Sequence, residues 1–143
     1  MNALYDFGYS GVDFDRFVRL ATTLDAVVLD IRYRPYSRAP QWNKPVLARR
    51  LLERYIHLQE LGNVNYKNGG PILISDLDKG LKALQHYLEN NSVIILCSCA
   101  RRKSCHRMTI VEAFEARSGV QSIPLTQQEI ERILDNSTQL YLF

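Results

Sequence analysis

The stretch that decides the fold begins Ser92-Val93-Ile94-Ile95-Leu96 and continues Cys97-Ser98-Cys99-Ala100-Arg101-Arg102-Lys103-Ser104-Cys105-His106-Arg107. Its first part is short, apolar and β-branched, and this pattern predicts a fully buried strand. Residues 108–117 follow with apolar side chains at helical spacing, and Ser118-Gly119 is a typical helix C-terminus. All three cysteines therefore lie where a strand ends and a helix begins, which is the edge where ligands bind in open parallel sheets.

The same alternation of strands and helices extends outward on both sides of this stretch. Strands are predicted over residues 3–7, 25–32, 55–58, 92–96 and 120–125, and helices over 13–21, 43–54, 75–88, 108–117 and 126–134. Asn43 is the predicted N-cap of the second helix, and capping boxes are predicted at Ser75 and Thr126. This order implies a mostly parallel five-stranded sheet sandwiched between helices, an α/β fold forming one domain over residues 1–143.

Composition limits the class of protein. A chain of 143 residues with 46% hydrophobic and 23% charged residues can bury a core of its own. It has no apolar run near the roughly 18 residues of a membrane span. The first residues lack the basic start and apolar core of a signal peptide, so we expect a cytoplasmic protein with reduced thiols. The net charge of +3 allows an anionic ligand without identifying a nucleic-acid binder.

Four short sequences occur together in the order typical of a known family. They are Gly8-Tyr9-Ser10, Asp30-Ile31-Arg32, the segment 55–62, and Cys97 followed by Cys105-His106-Arg107. With these motifs the chain resembles the domain of unknown function 488 family over roughly residues 5–118. The resemblance implies an α/β sandwich of Rossmann-like type and no settled activity. Cys99 stands where that family usually has an acidic residue.

Polar residues follow the first, second and fourth predicted strands, whose carboxyl ends can face one crevice. The candidate ligand-binding residues there are Tyr9, Ser10, Arg32, Arg38, Arg102 and Arg107. Cations and free amides at a helix start bind anions, so we expect a phosphate- or nucleotide-type ligand. The alternative is that the basic loop is only a solvated surface.

A cysteine thiolate is the predicted reactive group of this site. Cys105 lies beside His106 and Arg107 at the expected start of a helix, where the pKa of a thiol falls, and Cys97 is the second candidate. With Asp30 or His106 transferring a proton, such a thiolate supports covalent catalysis. An enzyme-like site for an anionic ligand is therefore the leading hypothesis. The alternative is that Cys105 and His106 are packed under the loop.

Three other functions stay open. Cys97, Cys99, Cys105 and His106 together offer the donors of a zinc or iron–sulfur site. Trp42, Tyr33 and Tyr36 are interleaved with arginines, a pattern that suits stacking on the bases of a nucleic acid. Arg102 follows Cys97 by five residues, which resembles a rhodanese-like sulfurtransferase loop, although this loop has no glycine. The oligomeric state is left open.

Overall fold

The computed structural model describes residues 2–99 and 101–142, with side chains described through residue 136. The strands are β1 (Leu4–Gly8), β2 (Ala26–Asp30), β3 (Tyr55–His57), β4 (Ser92–Cys97) and β5 (Ile123–Pro124). The helices are α1 (Phe14–Thr23), α2 (Lys44–Leu51), α3 (Leu77–Asn90), α4 (His106–Ser118) and α5 (Gln127–Leu142). Within the described ranges, no helix has both the length and the apolar character needed to cross a membrane.

The five strands form one parallel sheet in the order β3-β2-β4-β1-β5. The α/β fold of Rossmann-like type predicted from the sequence is confirmed. Strand β4 lies between β1 and β2, with Cys97 opposite Gly8 and Leu96 opposite Asp30. This order places the carboxyl ends of the three strands that carry the predicted site side by side.

Helices cover both faces of the sheet. Helices α1, α2 and α5 pack on one face, through residues that include Phe17, Leu47 and Ile130. Helices α3 and α4 pack on the other face, through residues that include Leu84 and Phe114. Side chains alternate between the faces along a strand. Accordingly, Ile94 and Leu96 of β4 join the first core, whereas Val93, Ile95 and Cys97 join the second, so the thiol of Cys97 points toward α3 and α4.

The ends of two helices differ from those predicted. The capping residue of α3 is Asp76 and not Ser75, because the Asp76 carboxylate accepts a hydrogen bond from the Lys79 amide. Asn43 occupies the N-cap position of α2, but its side-chain oxygen accepts from the Ser37 amide instead. The α-helix then ends at Leu51 and residues 52–54 form a 3-10 turn. The capping of α5 by Thr126 is confirmed, because its hydroxyl accepts from the Glu129 amide at 3.1 Å.

Other boundaries shift as well. Helix α4 begins at His106, two residues before the predicted start, and ends as predicted at Gly119, whose φ of 75° is left-handed. Helix α5 continues to Leu142, beyond the predicted end at residue 134. Strand β2 ends at Asp30, two residues before the predicted end, and β5 has only two residues.

Candidate thiol site at the carboxyl edge of the sheet

Three cysteine side chains meet at the carboxyl end of β4. Cys97 is the last residue of the strand, Cys99 lies in the loop, and Cys105 is the N-cap of α4. Their Sγ atoms all lie within 4.8 Å of one another, and those of Cys97 and Cys105 are 2.9 Å apart. All three cysteines are free thiols. The structure therefore brings together the three thiols of the predicted metal set.

The three thiols differ in their access to solvent. Cys97 and Cys105 are buried, with 0% and 1% of their surfaces exposed, because their side chains belong to the core beneath α3 and α4. Cys99 is half-buried and lines a cavity. The two thiols predicted to be reactive thus lie behind Cys99, which the sequence analysis assigned only to the metal alternative.

Hydrogen bonds within the cluster shift the pKa values of the three thiols in different directions. Hydrogen bonds from the Cys105 and Cys97 thiols lower the pKa of Cys99 well below its usual range. The corresponding bonds from Cys105 to Cys97 and Cys99, together with burial, raise the pKa of Cys105, contrary to the expected lowering. The hydrogen bond with Cys105 lowers the pKa of Cys97. The hydrogen bond between Cys97 and Cys99, together with the burial of Cys97, outweighs this effect, so the pKa of Cys97 is raised. Of the three thiols, Cys99 is therefore the one whose pKa is lowered.

His106 presents a neutral imidazole to the thiols. Its Nε2 lies 2.9 Å from the carbonyl oxygen of Ile31, and a carbonyl only accepts, so Nε2 carries the proton. Burial lowers the pKa of the ring and keeps it neutral at pH 7. The unprotonated Nδ1 lies 3.9 Å from the Sγ of Cys105. This geometry leaves the lone pair of Nδ1 to accept a hydrogen bond from the Cys105 thiol or to coordinate a metal ion.

A buried carboxylate that the sequence analysis missed holds the loop in place. Asp6 of β1 is 1% exposed and accepts hydrogen bonds from Arg102 at 2.9 and 3.0 Å, from Arg107 at 3.1 Å and from Ser122 at 2.6 Å. The other end of the Arg107 guanidinium donates to the Sγ of Cys97 at 3.1 Å and to the Cys99 carbonyl at 3.0 Å. Arg102 and Arg107 therefore tie the loop to the sheet.

The approach of the loop to β1 requires glycine at position 8. A Cβ atom added to Gly8 would lie 1.7 Å from the carbonyl oxygen of Cys99 and 2.3 Å from a guanidinium nitrogen of Arg107. The first contact is with backbone, so it cannot be relieved by turning a side chain. The Gly8-Tyr9-Ser10 motif thus contributes space for the thiol loop.

Asp30 and Arg32 form a separate buried ion pair. The Arg32 guanidinium donates to both carboxylate oxygens of Asp30, at 2.8 and 2.7 Å, and to the carbonyl of Trp42 at 2.7 Å. The Tyr55 hydroxyl donates to the same carboxylate at 2.6 Å. The hydrogen bonds of Asp30 thus go to Arg32 and Tyr55 and not to the thiols, although Asp30 was one of the two residues predicted to exchange a proton with the thiolate. The ion pair therefore lies at the carboxyl end of β2.

A cavity of about 310 Å³ opens in front of the thiols. Its lining comprises Tyr9, Arg32, Tyr33, Arg34, Tyr36, Ser37, Asn63, Tyr66, Ile72, Ser98, Cys99, Ser104 and His106. Of the other predicted ligand-binding residues, Ser10, Arg102 and Arg107 line a second cavity of about 240 Å³, and Arg38 is exposed outside the lining of both. Trp42 is 2% exposed and packs on Phe7, Tyr9, Phe14 and Phe17, so its predicted stacking on a base is wrong.

Comparison with known proteins gives one result. The family model described as "Domain of unknown function DUF488" matches residues 13–68. This segment contains Asp30, Arg32 and His57, whereas the three cysteines lie beyond it. Comparisons with curated proteins and with solved structures give no match. The matched segment contains two of the four motifs read from the sequence, Asp30-Ile31-Arg32 and residues 55–62, and supports the assignment of this chain to the DUF488 family.

Proposed function

We propose that the protein binds a thiophilic metal ion through Cys97, Cys99 and Cys105. The observation that carries this proposal is the convergence of three Sγ atoms within 4.8 Å of one another. Zinc lies about 2.3 Å from a thiolate sulfur and is tetrahedral, which places two sulfur ligands about 3.8 Å apart. The Sγ atoms of Cys97 and Cys105 would separate by about 1 Å on binding.

The surroundings suit a negatively charged metal–thiolate centre. Three thiolates and a divalent ion carry a net negative charge, and Arg107 donates to the Sγ of Cys97 at 3.1 Å. Cys105 caps the first turn of the 13-residue helix α4, where the helix dipole favours negative charge. Thiolate ligation requires reduced thiols, in agreement with the cytoplasmic location that we predict.

The fourth ligand distinguishes a structural metal site from one open to chemistry. His106 offers Nδ1 near Cys105, and its ring is oriented by the Ile31 carbonyl, a common arrangement for histidine ligands. Cys99 lines the cavity, so a water or a ligand can also reach the metal. We propose that this position is exchangeable, because open catalytic sites have three protein ligands. A His106→Ala variant that keeps the affinity would support this choice, and a large loss would assign His106 as the fourth ligand.

Titration with Co²⁺ tests the proposal directly. Cobalt bound by thiolates in a tetrahedral site gives an intense charge-transfer absorption, and zinc displaces it. We expect one ion per chain and a loss of affinity of at least about 10-fold in each of Cys97→Ser, Cys99→Ser and Cys105→Ser. Ser98→Ala is the matched control, because this exposed loop residue lies between two of the cysteines. The proposal fails if the absorption is missing or survives in all three variants.

A phosphate-bearing ligand in the cavity is the second candidate. Arg32 and Arg34 both line it, but Asp30 neutralises the charge of Arg32, so the exposed Arg34 supplies the uncompensated charge. We propose that inorganic phosphate or a mononucleotide binds there weakly. Calorimetry should show weaker binding in Arg34→Gln, whereas Arg49→Gln on the exposed surface of α2 should bind normally. Equal binding by both variants would remove this candidate.

The remaining alternatives receive less support. A rhodanese-like sulfurtransferase needs an accessible sulfur-carrying thiolate, and Cys97 is fully buried. A nucleic-acid-binding surface would lack Trp42, the tryptophan of the predicted aromatic set, because this residue belongs to the core.

A further inference from the structure

We infer that the metal-free cluster carries out thiol–disulfide exchange, in which Cys99 attacks a small disulfide and the oxidised state passes to Cys97 and Cys105. This activity goes beyond metal binding and does not depend on it. Two observations carry the inference. One is the difference in access among the thiols, and the other is the distance of 2.9 Å between the two buried sulfurs.

Access decides which thiol reacts first. Cys99 lines the cavity of about 310 Å³, a volume that admits a low-molecular-weight disulfide. Cys97 and Cys105 are 0% and 1% exposed, so a disulfide in the cavity reaches Cys99 before either of them. Attack requires an accessible thiolate, and burial keeps a thiol inert. The cavity therefore selects Cys99 as the attacking residue.

Distance decides where the disulfide ends. The three sulfurs lie within 4.8 Å of one another, so a mixed disulfide on Cys99 is within reach of a second thiol. The Sγ atoms of Cys97 and Cys105 are 2.9 Å apart, and a disulfide bond needs a separation of about 2.05 Å. These two sulfurs also lie in the apolar core beneath α4, where a disulfide carries no charge. The buried pair is therefore the favoured final site.

The exchange balances in three steps with a disulfide RSSR as oxidant. The Cys99 thiolate attacks one sulfur, the S–S bond of RSSR breaks, and RS⁻ leaves as a Cys99–SR bond forms. Cys105 then attacks the Cys99 sulfur and gives its proton to the second departing RS⁻. Cys97 finally attacks the sulfur of Cys105 and forms the Cys97–Cys105 disulfide. The Cys99–Cys105 bond breaks, and Cys99 leaves as a thiol that carries the proton of Cys97. In total Cys97 and Cys105 are oxidised to a disulfide and RSSR is reduced to one RS⁻ and one RSH, while Cys99 starts as a thiolate and ends as a thiol.

Stopped-flow reaction of chelator-treated protein with dithiobis(nitrobenzoate) tests this sequence, because each departing thiolate is coloured. We expect the wild-type chain to release two thiolates in succession and peptide mapping to find the final disulfide between Cys97 and Cys105. Cys99→Ser should slow the first release at least about 10-fold, since only buried thiols remain. Cys105→Ser should slow the second release by a similar factor. Ser75→Ala, at an exposed position outside the lining of the cavity, should match the wild type.

Two results would overturn the inference. One is a Cys99→Ser variant that reacts as fast as the wild-type chain. The other is wild-type protein that stops at the mixed disulfide or, in peptide maps taken at late times, lacks the Cys97–Cys105 disulfide. Peptide mapping uses the wild-type chain, so the inference can still be tested if one of the variants fails to fold. Metal is absent throughout, so failure here is separate from failure of the Co²⁺ titration.

Discussion

Asp6→Asn should destabilise the protein far more than the same change in an exposed ion pair. Asp6 is 1% exposed, and its two oxygens accept from Arg102, Arg107 and Ser122. Asparagine keeps the shape of the side chain but removes the negative charge and replaces one acceptor oxygen with an amide donor. Both guanidinium groups would then lack their counterion at the carboxyl side of β1.

The expected magnitude follows from the burial of the two arginines. Removing one member of a buried ion pair costs about 3–5 kcal/mol. The Arg107 side chain is 6% exposed and falls in this class, whereas Arg102 is 29% exposed and regains water more easily. We therefore expect a loss of about 3 kcal/mol in the free energy of unfolding, against a typical total of about 5–15 kcal/mol. The variant should still fold.

Urea denaturation measures this loss, with Asp15→Asn as the matched control. The Asp15 carboxylate contacts Arg50 at 2.8 Å, but the two side chains are 77% and 47% exposed. That pair should contribute less than about 1 kcal/mol, and the contribution should shrink further in high salt. If Asp6→Asn costs no more than Asp15→Asn, the account of Asp6 as the residue that anchors the thiol loop is wrong.

Three further predictions concern the edge of the sheet. Gly8→Ala should weaken Co²⁺ binding at least about 10-fold, because the added Cβ displaces the Cys99 carbonyl. Gly70→Ala, where a Cβ has room, should leave the affinity unchanged. Equal Co²⁺ affinities in the two variants would contradict the role of Gly8. Tyr55→Phe should cost about 1.5–3 kcal/mol, because the hydroxyl donates to the Asp30 carboxylate, and urea unfolding measures it. Burial, followed by the Asp30 carboxylate, raises the pKa of Tyr55 above its ordinary value of about 10. Above about pH 10 the unfolded state therefore loses this proton before the folded state does, and the stabilisation by the hydroxyl declines. The cost of Tyr55→Phe should shrink in that pH range, and a cost independent of alkaline pH would contradict this. Zinc affinity measured against a competing chelator should fall as pH falls, because protons compete for the thiolates, and an affinity independent of pH would argue against thiolate ligands.

Local patterns in the sequence predict much of this fold. The β-branched runs and the helical spacing of apolar residues report burial on one or two faces, so the five strands and five helices are recovered with shifted ends. The strand-to-helix loop with three cysteines also lies where predicted. The insertion of β4 between β1 and β2 depends instead on packing between distant segments, which no local pattern records.

The roles of individual site residues were harder to predict for the same reason. Arg102 and Arg107 pair with Asp6, which is about a hundred positions away in the chain. An acidic residue in the middle of an otherwise apolar strand was the one available sign of this partner. The burial of Cys97 and Cys105 behind Cys99 depends on how the loop folds back over Gly8, and the spacing of the cysteines is the same for either arrangement.

X-ray absorption at the zinc edge tests the central claim most directly. Protein loaded with one equivalent of zinc should show three sulfur neighbours at about 2.3 Å and one lighter neighbour at about 2.0–2.2 Å, as three cysteines with a fourth nitrogen or oxygen ligand require. Zinc surrounded only by nitrogen and oxygen, or by a single sulfur, would contradict the claim that these three thiols form one metal site.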